Sequence, residues 1–281
     1  MTLTVVTNQG SENAKAQAIK GTAGKVVALW GCVGAGKTNV ALNVAFELAS
    51  IGKKVLLVDA DTHRPSVAAL LGLVDSGPGL TAVLRLARSG RLDLAELERL
   101  SEQVNFGKQS IRVIPGINSV SRWPEVDPAA LEELLRFAKD NFDFTIVDVA
   151  AELEPGLFTQ TSDIPRNYAS SGVISLADLV IGLFSADPVG VNRLLSDLRE
   201  VNFEFMPIAN RVRSSVLGRA PERQLRDTMF RVARLKLHST IPDDASAVDL
   251  SQQRGQPLLL AAKSSKAREA IRMLSLELAD L

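Results

Sequence analysis

The stretch Lys25-Val26-Val27-Ala28-Leu29-Trp30-Gly31-Cys32-Val33-Gly34-Ala35-Gly36-Lys37-Thr38 decides the fold. Val26 to Trp30 is a continuous apolar run with no polar face, the pattern of a strand buried on both sides. A glycine-rich turn follows, and from Asn39 to Ser50 apolar residues return at helical spacing, with Gly52 where a helix C-cap is expected. A second apolar run, Val55-Leu56-Leu57-Val58, then ends in Asp59. Strand, loop, helix and strand in that order predict a right-handed parallel crossover.

The alternation continues outward from this unit. Ile111–Pro115, Phe144–Asp148, Leu179–Leu183 and Met206–Asn210 read as further strands. Helices are expected from Asp127-Pro128 to Lys139, over Val189–Val201 and Pro221–Arg234, and at the end over Ala245–Gln252 and Ser265–Leu281. The fold class is therefore α/β, a doubly wound and mostly parallel sheet with helices on both faces, in three layers. In such a sheet ligands bind at the carboxyl ends of the strands. Residues 1–24 are polar and read as a tail or linker, and residues 25–281 as a single domain.

Composition agrees and excludes several classes. The 281 residues carry 32 basic and 32 acidic side chains, 46% hydrophobic residues and only 5% aromatics, so the core is aliphatic. No apolar run approaches the ~18–20 residues of a membrane-spanning helix. Met1–Lys15 lacks the basic and apolar regions of a secretion signal. One cysteine, Cys32, with His63 and His238, is too thin a set for zinc or an iron–sulfur cluster. The expected location is the cytoplasm. Zero net charge argues against a general polyanion binder but leaves local patches open.

Gly31 to Thr38 fits G-x-x-x-x-G-K-[ST] in its required context, after a strand and before a helix. Glycines let backbone N–H groups curl around phosphate oxygens, and the helix N-terminus adds partial positive charge. The binding set is Gly31, Val33, Gly34, Ala35, Gly36, Lys37, Thr38 and Asn39, with Lys37 neutralising the β and γ phosphates and the Thr38 hydroxyl on Mg²⁺. Two more strands end in acids, Asp59-Ala60-Asp61 and Asp148. Beside a phosphate loop, such carboxylates can hold Mg²⁺ or orient an attacking water. No N-K-x-D segment is present to read guanine, and Asn210-Arg211 ends an apolar strand with an amide suited to an adenine edge, which favours ATP over GTP.

At this point the chain resembles the MinD/ParA group of P-loop ATPases, from Lys25 to the C-terminus. The residues that carry the likeness are the phosphate loop, Lys54–Asp61, the Asp148 strand, Ala186-Asp187-Pro188, Asn210-Arg211 and Ile241-Pro242-Asp243-Asp244 with Gly255-Gln256-Pro257. Within the group, Arg122-Trp123-Pro124-Glu125 and Asp163-Ile164-Pro165-Arg166-Asn167 resemble actinobacterial pilus-assembly proteins related to CpaE/TadZ. The resemblance implies ATP, ADP and Mg²⁺ as ligands and an ATP-dependent homodimer as the switch. It implies a polar or membrane-associated protein partner, in pilus, secretion or division machinery. Asp61 is then the acid that assists water, Asp59 and Asp148 organise Mg²⁺, Asn210 and Arg211 lie at the adenine, and Pro242 covers the base.

Two departures bear on this expectation. The group's signature lysine, second in the loop, is Cys32, and Val33 stands where glycine is usual. A trans-acting cation is worth about 10³–10⁵ in rate, so its loss implies slow or absent hydrolysis and a nucleotide-stabilised scaffold as the alternative. Arg64 and Arg166 are nearby cations, or else ordinary solvated arginines. Cys32 is either redox-sensitive or a small space-filling residue.

Charge is uneven along the chain. Arg211–Lys236 holds eight bases against two acids, and Glu125–Glu154 nine acids against two bases. The basic segment suits non-specific DNA binding, an acidic partner, or simply the wet face of a helix. Ser265–Leu281 reads as a closing core helix rather than a membrane anchor.

Overall fold

A computed structural model describes residues 23–73, 77, 79–153 and 167–281. Among these residues eight strands form one sheet: β1 (Lys25–Gly31), β2 (Val55–Ala60), β3 (Glu102–Phe106), β4 (Gln109–Ile114), β5 (Phe144–Val149), β6 (Leu179–Ser185), β7 (Met206–Val212) and β8 (Ser239–Pro242). Their order is β3-β4-β2-β5-β1-β6-β7-β8. Every neighbouring pair is parallel except the β3–β4 hairpin at one edge. The chain builds outward from β1 on one side, returns through β5, and then builds the other side through β6. This reversal opens a crevice at the carboxyl end of β1.

Strand β1 feeds both layers. Val27 and Leu29 point into the core under the helices Lys37–Ser50 and Lys266–Ala279. Val26, Ala28 and Trp30 point to the opposite face, where Leu80, Val83, Leu131, Leu134 and Val173 cover them. Alternating side chains thus serve two cores, and this is why the strand shows no polar face. A third, smaller cluster joins Phe184 and Ala209 of the sheet to Leu194, Leu225 and Met229 of the helices Pro188–Asp197 and Pro221–Ala233.

Local signals explain the helix ends. Asp127 caps Pro128–Asn141 by accepting from the Ala130 N–H at 2.9 Å, with Pro128 at the first position where no N–H is needed. After Lys37–Ser50, Gly52 takes φ +89°, its N–H donates to Ala49 O and the Lys53 N–H to Leu48 O, so two orphan carbonyls are satisfied.

The predicted strands are all present, and the predicted doubly wound sheet is the one observed. Boundaries and edges differ. The first helix begins at Lys37, two residues before Asn39, and the helix expected over Val189–Val201 runs from Pro188 to Asp197. Strands β3 and β8 were not expected, nor were the helices Gly79–Arg88, Leu94–Leu100 and Tyr168–Leu176. Of the expected tail, residues 1–22 lie outside the described residues.

Candidate functional site

The phosphate loop leaves β1 at the reversal point and enters the helix Lys37–Ser50 directly. Gly34 and Gly36 have φ of +82° and +85°. At Gly36 a side chain is excluded twice, because a Cβ would lie 2.8 Å from Asn210 Nδ2 in a backbone region that favours glycine. Gly36 also offers the helix no capping side chain. The first N–H groups of that helix are therefore left to an external acceptor, as an anion site requires.

Loop and helix open into a cavity of about 700 Å³. Val33, Gly34, Gly36, Lys37, Thr38, Asn39, Asp61, Asn210, Arg211 and Pro242 line it, residues from four separate parts of the chain. Gly31 and Ala35, the other two expected loop residues, are buried and are not among those that line it. Asp59 and Asp148 lie beneath it, 1% and 0% exposed, on adjacent strands and in register with each other.

These two acids differ. Asp148 Oδ2 accepts from the Thr38 hydroxyl at 2.6 Å, whereas its Oδ1 is buried without a hydrogen-bond partner among the described residues. A buried carboxylate oxygen left open beside a threonine hydroxyl is uncommon in a folded protein and matches the hard oxygen donors that Mg²⁺ takes. Burial first, and then the Asp59 charge, push the Asp148 carboxyl well above the usual carboxylate range. Asp59 instead accepts from three backbone N–H groups: Asp61 at 3.1 Å on Oδ1, and Ser66 and Val67 at 2.8 and 3.0 Å on Oδ2. It shapes the turn that carries Asp61, and burial still raises it to about 7. So, of the two acids expected beside Mg²⁺, only Asp148 has a carboxylate oxygen with no hydrogen-bond partner among the described residues, and both acids lie buried behind the residues that line the cavity.

Asp61 is fixed by the same turn, its Oδ1 accepting from the His63 and Arg64 N–H groups, each at 2.8 Å. His63 Nε2 in turn lies 2.6 Å from Asn167 Oδ1. On the other wall, Arg211 has φ +59° and the β7–β8 register shifts between Ala209 and Val212. This bulge turns Asn210 onto the loop, where Nδ2 donates to Ala35 O at 2.8 Å and Oδ1 accepts from the Arg211 N–H. The amide expected at adenine is thus engaged with the loop backbone, keeping one N–H and one lone pair for a ligand.

Cys32 faces away from the cavity, packed in the small cluster with Phe184, Ala186 and Leu194. Burial and a hydrogen bond to Asp197 push its thiol far above the ordinary range, so it fills space and is not a thiolate. Arg64 lines the cavity; Arg166, the other expected cation, lies outside the described residues, as does the rest of Asp163–Arg166.

Sequence reasoning missed His63, Ser66, Arg213, Asp249 and Gln252, all on the cavity wall, and Arg193, whose Nη1 donates to Val33 O at 2.8 Å. His63 and Ser66 follow Asp61 closely enough to be found by extending the motif; the others carry no local signal.

A family model described as AAA domain matches residues 25–169, just over half of the chain, from the start of β1 past Asp148. The chain belongs to that family, in its MinD/ParA-type P-loop group. Septum site-determining protein MinD of Synechocystis is 28% identical over 248 residues, which cover 85% of this chain and 83% of that protein. The ParA family ATPase of Chlorobium tepidum has the same fold, with TM-score 0.73 at 21% identity over 90% of this chain and 99% of the other. The septum site-determining protein MinD of Pyrococcus horikoshii, solved in complex with Mg-ADP, superposes with TM-score 0.67 at 22% identity, over 90% and 94% of the two chains.

Proposed function

We propose that this chain binds Mg²⁺-ATP in the cavity between the phosphate loop and Pro242, hydrolyses it slowly, and uses the bound state to form a homodimer. The observation that carries this reading is the buried Asp148 Oδ1 with no hydrogen-bond partner among the described residues, on the carboxylate that accepts from Thr38, under a glycine loop whose helix N-terminus has no side-chain cap. The Mg-ADP held by the Pyrococcus relative supports the same ligand here.

In this reading Lys37 and the loop N–H groups bind the β and γ phosphates, while Thr38 and Asp148 hold the cation. Bound Mg²⁺ supplies charge neutralisation at the phosphate oxygens. Asp61, pinned through Oδ1, orients the attacking water. Asn210, Arg211 and Pro242 line the far end, where the adenine lies. Titration with Mg²⁺-ATP tests the core of the proposal: wild type binds, and Lys37→Ala does not. Light scattering tests the switch, with monomer expected in Mg²⁺-ADP and dimer in a slowly hydrolysed ATP analogue.

The burial of Cys32 favours a second reading, a nucleotide-stabilised scaffold with little turnover, because no cation occupies that position of the loop. Turnover abolished by Asp61→Ala decides for the enzyme; equal phosphate release in both decides for the scaffold.

The likeness to CpaE/TadZ-related proteins points to a pilus or secretion machine as the cargo, recruiting a cytoplasmic chain to membrane or pole. Loss of polar localisation on deleting that machine tests it. Among the described residues no helix is long and apolar enough to cross a membrane. Non-specific DNA binding finds a smaller surface than the charge count implied: Arg226 donates to Leu237 O, while Arg213 and Arg223 pair with Asp243 and Asp227. Retention on DNA that requires ATP and falls steeply with salt would support it.

A further inference from the structure

Helix Pro188–Asp197 brings a cation against the phosphate loop from a distant part of the chain. Asp187 caps this helix by accepting from the Val189 and Gly190 N–H groups at 3.0 and 2.9 Å. At Gly190 a Cβ would lie 2.2 Å from Ser185 O, so glycine alone lets the helix approach the end of β6 this closely. Arg193 is three residues further, on the same helix face. Its Nη1 donates to Val33 O at 2.8 Å and would lie 3.6 Å from a Cβ placed on Gly34. No ion pair joins it to a described carboxylate, so its polar partner among these residues is a loop carbonyl.

A carbonyl held from outside has a consequence inside. In a trans peptide the C=O and the following N–H point in opposite directions, and the described residues contain no cis bond. Fixing Val33 O toward Arg193 therefore aims the Gly34 N–H the other way. Asn210 Nδ2 does the same at Ala35 O for the Gly36 N–H. Two alternate peptides of the loop are thus oriented by side chains from the far half of the sheet. Gly34 is where the backbone is least constrained by its own chemistry, and an anion nest works only if its N–H groups converge before the ligand arrives.

We infer that Arg193 is a positioning residue for phosphate recognition, aiming the Gly34 N–H at the polyphosphate by fixing the Val33–Gly34 peptide. The inference rests on the nucleotide reading above. It assigns Arg193 a role in this chain's own loop, whereas Lys37 binds the phosphates directly.

Arg193 is exposed, so Arg193→Ala leaves the cores intact. Competition against a fluorescent ADP derivative gives the affinities of Mg²⁺-ADP and of adenosine for wild type and variant. The variant is expected to weaken Mg²⁺-ADP about tenfold, the scale of one hydrogen bond to a charged group, while adenosine keeps its wild-type affinity. Equal Mg²⁺-ADP affinity in the two proteins overturns the inference, as does a parallel loss for ADP and adenosine, since that would be damage to the whole cavity. Wild type that binds no Mg²⁺-ADP sinks the nucleotide reading and this inference with it, whereas a binding wild type with an unaffected variant sinks the inference alone.

Discussion

The two ends of the sheet each carry a large cavity, and only one is built as a site. At the amino ends of β6 and β7 a cavity of about 900 Å³ lies among Asp178, Phe203, Phe205, Arg226 and His238, larger than the 700 Å³ at the phosphate loop. Three of its charged or titratable side chains, Asp178, Arg226 and His238, are matched within the protein, while Glu204 and Lys236 also line it. Asp178 accepts from the Val26 N–H and from Lys139 Nζ, both at 2.7 Å, Arg226 donates to Leu237 O, and His238 meets Glu277 at 2.8 Å. The carboxyl end keeps an uncapped helix, a buried Asp148 oxygen with no hydrogen-bond partner among the described residues, and two buried acids side by side. Volume does not separate the two ends. Polarity left unmatched by the protein does, because burying an unpartnered polar group lowers stability and persists where a ligand completes it.

The strongest way to break this comparison is to remove the cation at the open end. Lys37→Ala is expected to weaken Mg²⁺-ADP at least about 100-fold, roughly 2.7 kcal/mol, read by calorimetric titration. A variant that binds like wild type would make the two ends equivalent.

Asp148→Asn sharpens it with effects of opposite sign. The amide retains the shape and cannot ionise beside Asp59, so at a pH where this buried pair would otherwise carry charge the nucleotide-free protein should melt at or above the wild-type temperature. The same change should erase most of the difference between ADP affinity in Mg²⁺ and in EDTA, about 10–100-fold in a site that depends on the cation. A lower melting temperature with an unchanged Mg²⁺ effect would mean that Asp148 is merely structural.

How much of this was legible depends on where each residue sits. The inner strands could be read because both faces are buried, so Val26–Trp30 and Val55–Val58 are unbroken apolar runs. Strand β3, at the edge, is Glu102-Gln103-Val104-Asn105-Phe106 with only Phe106 buried, and β8 has only Ile241 buried and ends in Pro242. Edge strands carry half the pattern, and periodicity fades with it. The helix Gly79–Arg88 does show helical spacing in its buried Leu80, Val83, Leu84 and Ala87. In the site, residue types within one motif were readable, as with Lys37, Thr38 and the strand-end acids. Contacts between distant segments were not: Asn210 reaches Ala35 across 175 residues, and Arg193 reaches Val33 across 160. No composition or spacing encodes which carbonyl a side chain will find.

The paired acids also give the nucleotide-free protein a characteristic pH response. Asp59 holds its proton up to about 7 in the folded chain and releases it near 3.9 when unfolded. Between those values the folded state binds more protons, so stability is full below about pH 4 and declines as pH rises through 7. Asp187 and Asp244, lowered by hydrogen bonds from Ser185 and Ser265, act in the opposite sense, but their contribution is complete once pH exceeds the ordinary carboxylate range. Melting curves from pH 5 to 8 should therefore fall without ligand and flatten in saturating Mg²⁺-ADP. A smaller fall in Asp148→Asn would tie the slope to this pair; an identical one would assign it elsewhere.

The smallest effect belongs to the closed end. Lys139 pairs with Asp178, but the two side chains are 29% and 40% exposed, so water screens the attraction. Lys139→Met keeps much of the packing and removes the charge, and about 0.5 kcal/mol of stability should be lost, as for other surface pairs. Asp178 retains the Val26 N–H at 2.7 Å, so its carboxylate is not left bare. Nucleotide affinity should stay within about twofold, because the change lies at the opposite ends of the strands and small perturbations at separated sites are close to additive. Chemical denaturation and ADP titration on one preparation measure both quantities. A large loss of affinity here would mean that the two ends communicate through the strands, and the contrast between a matched and an unmatched cavity would then no longer locate function.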